Sequence, residues 1–325
     1  MARPIADTTT GKIAVLGATS AAGAHLKAAL VDRGIPGGRV SLFCREREVA
    51  VLSEYGGEAR LVQPADELDA AACRVVFVCE VGHDGASLVR AAASGTLVVD
   101  MTASLPGAAL AGSSTASADA RLVVVPHAVT TLLYSLLAPL QLAIGLTRVS
   151  AHVLRPASDF GEAGLEELRE QTVHLLRFEP MPTAVFGRQL AFNVLPEHLF
   201  PLGEEHSSAR VVREARELLG TPDLPFAFSQ SLVPLFFGHG IAAHVELAGS
   251  DRDQALAAWR AAPDVAIAAD TDVGATLDAP ESAGLLIARA DATGESGLRV
   301  WVLGSEAGAT AAGRAIAAGV AYGVL

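Results

Sequence analysis

Residues 123–140, VVVPHAVTTLLYSLLAPL, have the pattern of a site-bearing corner: an apolar run that predicts a buried strand, a sharp Pro126-His127 turn, and an apolar helix from about Thr130. In an open parallel sheet such a corner faces the crevice at the carboxyl ends of the strands, where ligands bind. A nucleophile belongs there, exposed at the turn and favoured as an anion by the following helix N-terminus. The residue at that point is Ala128, whose methyl group offers no chemistry. His127 beside it and the distant His239 allow two readings. They could form a proton-handling pair for a carbonyl reduction that needs no covalent intermediate, or His127 is a corner residue hydrogen-bonded to backbone.

Other reactive side chains are few. Cys44, Cys73 and Cys79 are spaced unlike a zinc motif and are too few for a disulfide framework, so reduced thiols are expected. Cys79 closes an apolar run at the carboxyl edge of the expected sheet and could reach the ligand crevice, although buried cysteines at strand ends are more often inert packing. His239 and His244 lack the spacing and the acidic neighbours of a metal site, and neither a Gly-x-Ser-x-Gly elbow nor a P-loop occurs.

The elements that must position these groups alternate strand and helix. Residues 12–16 read as a strand, followed by Gly17, Ala18, Thr19, Ser20, Ala21, Ala22 and Gly23 and then a helical pattern through Leu26, Leu30 and Val31. Glycines in such a turn let backbone amides approach a pyrophosphate, and the helix N-terminus adds a favourable field. The middle glycine of that fingerprint is Ser20 here, so an ordinary small-residue turn is the competing reading. A second strand at 40–43 ends at Arg45 and Arg47, which suit the 2′-phosphate of NADP or, equally, a solvated and salt-bridged turn.

Apolar runs at 60–62, 75–79, 96–99 and 122–125 predict further buried strands, with a helix or loop at 86–93 and a loop or weak helix at 106–120. Repeated strand and crossover units imply a doubly wound parallel sheet of Rossmann type. From residue 148 the pattern changes. Strands are expected at 148–154, 226–235, 244–247, 285–288 and 298–303, helices at 161–176, 208–219 and 253–261, and an irregular segment at 177–200. This is an α+β domain with a mostly antiparallel sheet, one face of which a homodimer partner would cover. The apolar tail, 308–320, is expected to pack back on the first domain. The division is therefore 1–126, completed by 305–325, and 127–304.

Composition bounds the partners. The 325 residues, 51% hydrophobic, suffice for one large or two ordinary domains. A net charge of −12 argues against nucleic-acid or anionic-membrane surfaces. No apolar run is long enough to span a bilayer and the start has no secretory h-region, so a cytoplasmic location is expected.

Several blocks, in order, resemble the aspartate-semialdehyde dehydrogenase family: KIAVLGATSAAG, GEAGLEELREQT, QLAFNVLPEHLF, REARELLGTPD, LVPLFFGHG and the strand centred on Trp301. The resemblance implies an NADP-binding Rossmann domain, a substrate and dimerisation domain inserted before the last helix, and reductive dephosphorylation of an acyl phosphate through a thioester. It places the family's Pro-Asn-Cys-Ser-Thr corner on Pro126-His127-Ala128-Val129-Thr130, so the thiol position is Ala128. It puts the base on His239 and a substrate-binding glutamate on Glu214. The substrate arginine falls on Leu232, the phosphate-binding arginine near Pro106, the positioning glutamine on Arg155, and a lysine on Glu217. The family's Asn-Leu-Arg-Lys-Gly loop against the cofactor is not reproduced at 304–308.

Losing both arginines removes charge-assisted anchors for anions. The expectation is a family member unable to perform the thioester reaction, a homodimer that keeps an NADP-binding, scaffold or regulatory role, with association with an active homologue as one form of it. The alternative is an NADP-dependent oxidoreductase acting on a different carbonyl substrate with His239 as acid/base.

Overall fold

A computed structural model describes residues 11–45, 52–113, 117, 119–199, 207–249, 252–269, 273–280, 284–304 and 311–325. The chain divides into two compact units, Met1–Pro126 with Thr310–Leu325, and His127–Ala309.

The first unit holds an eight-stranded sheet made of β1 (Ile13–Leu16), β2 (Val40–Cys44), β3 (Leu52–Tyr55), β4 (Glu58–Pro64), β5 (Val75–Val78), β6 (Leu97–Asp100), β7 (Ala109–Leu110) and β8 (Leu122–Val124). Their order is β3-β4-β2-β1-β5-β6-β8-β7, and of the seven pairings only β3 with β4 is antiparallel. Helices cover both faces, which is why the central strands are apolar without alternation. Ile13 and Val15 pack with α1 (Ala21–Asp32) and with the C-terminal helix Ala311–Ala321, through Leu26, Leu30, Ala315 and Ile316. Ala14 and Leu16, pointing the other way, pack with α2 (Gly85–Ala93) through Leu88 and Ala91.

Two strands of this unit lie outside the sequence expectation, as do the short β10 (Leu195–Pro196), in a segment expected to be irregular, and β13 (Val265–Ile267) of the second unit. β3 forms an edge hairpin with β4 across Gly56 and Gly57, both at positive φ, and it buries only Tyr55, too little apolar content to read as a strand. β7 falls in the stretch expected to be loop or weak helix; two ladder residues, Ala109 and Leu110, leave no periodicity to detect.

The second unit holds β9 (Leu146–Arg155), β10 (Leu195–Pro196), β11 (Phe226–Leu232), β12 (His239–Leu247), β13 (Val265–Ile267), β14 (Leu285–Thr293) and β15 (Gly297–Gly304), in the order β10-β11-β9-β12-β15-β14-β13. Four of its six pairings are antiparallel. In β12, Ile241, Ala243, Val245 and Leu247 are buried while Ala242, His244 and Glu246 are exposed, so one face is core and the other faces solvent in the single chain. The core face carries α3 (Ala128–Ala143), α5 (Ser208–Leu219) and α6 (Arg252–Ala261), and α4 (Gly161–Arg177) packs in a separate cluster around Leu168 and Phe186. Trp259, fully buried on α6, donates its indole N–H to the Leu136 carbonyl of α3 at 2.8 Å. β12 starts at His239, five residues earlier than the pattern predicts, because Gly240 and Ala242 dilute its alternation. β11 stops at Leu232, short of the expected 235, where Pro234 ends the ladder. Among the described residues no helix is long and apolar enough to cross a membrane.

The closest backbone approach in the first unit is at Gly23, where an added Cβ would stand 2.2 Å from the Gly17 carbonyl oxygen and 2.9 Å from the Ala18 Cα. Gly23→Ala should therefore destabilise the protein by about 1–3 kcal/mol, read as a lower urea midpoint at unchanged m-value.

Candidate functional site

The corner itself is tied by a buried carboxylate. His127 ends the link from the first unit and caps α3, its Nδ1 accepting the Val129 N–H at 3.1 Å. An accepting Nδ1 carries no proton. Glu214, projecting from α5 and 4% exposed, accepts the His127 N–H at 2.8 Å and the Thr130 hydroxyl at 2.9 Å through Oε2, and the Arg210 Nε–H at 2.6 Å through Oε1. Ala128 opens α3 within this clamp, half-buried against the core. Thr130 and Arg210 were not foreseen; Arg210 stands one helical turn before Glu214, the usual spacing of a helical ion pair.

A second buried polar group gathers where β9, β11 and β12 meet. Arg155, the last residue of β9 and 1% exposed, donates Nε–H to Asp159 Oδ2 at 2.5 Å and Nη1–H to Gln230 Oε1 at 3.2 Å. His239, the first residue of β12 and equally buried, sets Nε2 3.0 Å from Asp159 Oδ1. Asp159 sits on a single 3-10 turn, Ala157–Phe160, between β9 and α4. That turn is held on both sides. Ala157 and Ser158 donate to the carbonyls of Leu235 and Phe236, and Gly164 lets the turn press on α4, since a Cβ there would lie 2.4 Å from the Ala157 oxygen. Burial opposes ionisation of Asp159, but the charges and hydrogen bonds of His239 and Arg155 outweigh it and hold the carboxyl far below the ordinary carboxylate range. Sequence reading missed Asp159 and Gln230. The available signal for Asp159 was an acid four residues after an arginine. Leu232, at the position matched to the family's substrate arginine, is fully buried. His244 lies five residues beyond His239 on the opposite, exposed face of β12.

In the first unit the Gly17–Gly23 turn closes on itself. Gly17 and Ala18 donate to the Phe43 carbonyl, both at 2.9 Å. Ser20 caps α1: its hydroxyl accepts the Gly23 N–H at 3.0 Å and donates to the Gly17 carbonyl at 2.8 Å. Thr19 and Ala21 are exposed, and the first turn of α1 carries no acidic residue. Arg45 lies exposed just beyond β2, beside a cleft of about 310 Å³ at the carboxyl ends of β1, β2, β4 and β5. Arg47 and residues 305–308 lie outside the described residues. All three cysteines also belong to this unit. The Cys79 thiol, buried 3.5 Å from the Met101 sulfur, is pushed up to about 12 by burial, and Cys73 is raised by burial and by Asp69. Neither is an activated thiolate.

A family model described as semialdehyde dehydrogenase, dimerisation domain, matches residues 137–306. The chain belongs to the aspartate-semialdehyde dehydrogenase family. It is 26% identical over 307 residues to aspartate-semialdehyde dehydrogenase 2 of Vibrio cholerae, covering 90% of this chain and 91% of that one. A USG-1 protein homolog of Azotobacter vinelandii is 28% identical over 248 residues, 72% of this chain and 73% of the relative. In fold, the crystal structure of aspartate semialdehyde dehydrogenase II from Vibrio cholerae matches with a TM-score of 0.80 at 23% identity, covering 96% of this chain and 98% of that chain. A probable aspartate-semialdehyde dehydrogenase from Pseudomonas aeruginosa matches equally, TM-score 0.80 at 24% identity, covering 95% and 97%.

The buried acid makes family-site stability pH-dependent. Folding lowers the pKa of Asp159, so its contribution is complete above the ordinary carboxylate pKa of about 4 and is lost as pH falls toward the folded value. Asp159→Asn should flatten that part of the acid unfolding curve. Asp159→Ala, which strands the Arg155 charge, should cost about 3–5 kcal/mol at pH 7, measured by chemical denaturation.

Proposed function

We propose that this protein does not carry out thioester-based reductive dephosphorylation and instead acts through binding, as an NADP-holding cytoplasmic homodimer with a scaffold or regulatory role. The observation that carries this reading is the pairing of Arg155 with Asp159 and Gln230 in a space with almost no solvent access. A guanidinium engaged by the chain's own carboxylate and amide has little left to grip a substrate anion. Arg155 itself stands at the position matched to the family's positioning glutamine, the residue matched to its substrate arginine is the buried aliphatic Leu232, and the residue matched to the thiol is Ala128. Cys79 and Cys73 are held as thiols and do not compensate.

The first unit fits NADP. Gly17 and Gly23 permit the tight turn from β1 into α1, since a Cβ at either would meet Glu80 or the Gly17 carbonyl oxygen, α1 opens without acidic side chains, and Arg45 borders a cleft at the strands' carboxyl ends. The residues that would hold the cofactor are Gly17, Thr19, Ser20, Ala21, Gly23 and Arg45, with Arg47 next along the chain. The nicotinamide, when bound, supplies or takes a hydride; the chain's own part is to orient the dinucleotide on the turn amides and α1. The family's dimerisation domain supports the homodimer, and the solvent-facing side of the second sheet is the surface a partner would cover, whether a second copy or an active homologue. The alternative, a reductase of another carbonyl with His239 as acid/base, draws on the His239–Asp159 contact, and the near-complete burial of both groups weighs against it.

With L-aspartate semialdehyde, phosphate and NADP, the purified protein should produce no NADPH, and Ala128→Cys should not restore turnover because the anion anchors are absent. Measurable wild-type turnover would end this reading. In thermal-shift titrations NADP should raise the midpoint, by an amount equivalent to about 2.7 kcal/mol at a hundredfold excess over Kd. A cofactor-dependent reduction of any carbonyl substrate, abolished by His239→Ala, would favour the alternative.

A further inference from the structure

The solvent-facing side of the second sheet carries two histidines to which the proposed function gives no role. On β9, Ser150 and His152 alternate with the buried Val149, Ala151 and Val153, and on β12, Ala242 and His244 alternate with Ile241, Ala243 and Val245, so both histidines share this face. Strand register sets His244 between Ser150 and Arg299, and His152 between Ser229 and Ala242. Small side chains at Ser150, Ser229 and Ala242 leave room for a second surface to approach. Five consecutive strands of seven to ten residues, β11, β9, β12, β15 and β14, give the face roughly 700 Å² at about 4.8 Å between strands and 3.3 Å per residue. A stable interface takes about 800 Å² from each partner, and all five strands fall inside the segment that matches the dimerisation domain.

The fixed charges on this face stand in two groups. Arg148 lies 3.6 Å from Glu246, and Asp291 accepts from Arg289 at 2.7 Å and from Arg299 at 3.0 Å. Those two hydrogen bonds hold the Asp291 carboxyl below the ordinary carboxylate range. At the margins are Glu197 and His198, which line a cleft with His152, Asp278, which accepts the Gly274 and Ala275 N–H groups, and Glu295 on the β14–β15 turn. These complete the ionisable groups on and around the face among the described residues. Carboxylates ordinarily stay charged down to about pH 4 and guanidiniums to above about pH 12, so between about pH 7.5 and pH 5.5 only imidazoles change charge. Neutral histidines leave three guanidiniums against two carboxylates on the face; charging His152 and His244 leaves five cations against the same two.

We propose that this face is the contact between two copies of the chain and that His152 and His244 make the contact proton-operated, closed while both are neutral and opened when they are charged. This rests on the homodimer reading above. In a two-fold contact the same patch comes from both sides, so every proton taken up on one copy is matched by its duplicate across the interface. Covering the face removes the water that screens these charges, and the excess of cations then opposes association. Exposed on a separated copy, the same imidazoliums are solvated, and the fold is left intact.

The test is sedentation-equilibrium ultracentrifugation of the full chain at about pH 7.5 and pH 5.5, for the wild type, the double variant His152→Gln/His244→Gln and Ala242→Arg, with unfolding midpoints read alongside. Both pH values lie above the range in which Asp159 is titrated, so folding and association are read separately. The wild type should be a dimer at the higher pH, and its dissociation constant should rise about tenfold or more at the lower. The double variant should dimerise at both, with a change of less than about twofold, because glutamine keeps the hydrogen-bonding capacity without the charge. Ala242→Arg, which adds a permanent cation between His152 and Trp301, should be monomeric at both pH values with an unchanged unfolding midpoint. A wild-type dimer indifferent to pH, or one whose pH dependence survives in the double variant, would overturn the proton-operated contact. A dimer that persists in Ala242→Arg would overturn the choice of face. A wild type that is monomeric at both pH values would overturn the homodimer reading itself, a result distinct from the others.

Discussion

A guanidinium removed from water must be given a counter-charge, and the second unit is arranged to give Arg155 one. Born and Coulomb terms make an unpaired buried arginine untenable, so the carboxylate of Asp159 and the amide of Gln230 are required wherever Arg155 is 1% exposed. Meeting that requirement fixes much else. The 3-10 turn bearing Asp159 must sit against α4, which Gly164 permits, and must be stitched to the segment leaving β11, which the Leu235 and Phe236 carbonyls accomplish. The same carboxylate also reaches His239, so the first residue of β12 is oriented by it.

The corner at His127 repeats the same logic with different parts. Its amide, the Thr130 hydroxyl and Arg210 converge on Glu214, and the imidazole is spent on capping α3. Each polar side chain that the family resemblance nominates as a substrate contact is engaged by a neighbour on its own chain. The energy of those ion pairs goes into fixing the positions of helices and strand ends.

The first unit contrasts with this. Its cleft keeps Arg45 exposed and His83 without a hydrogen-bond partner at Nε2.

Sequence by itself determined the doubly wound unit, the mostly antiparallel unit and the family, because apolar periodicity, turn glycines and ordered blocks such as LVPLFFGHG are local and survive without coordinates. It matched Ala128, Arg155, Glu214 and His239 to positions of the family's site. It did not reveal the β3 hairpin, β7, β10 or β13, whose apolar runs are too short to register, nor that Arg155 and His239 share Asp159, nor that Glu214 clamps the corner. Those depend on which side chains from β9, β11, β12, α3 and α5 converge, and convergence is set by strand register and helix packing. The partner of a buried charge is a matter of a few ångströms in space, and only the tertiary structure fixes distances between residues more than eighty positions apart.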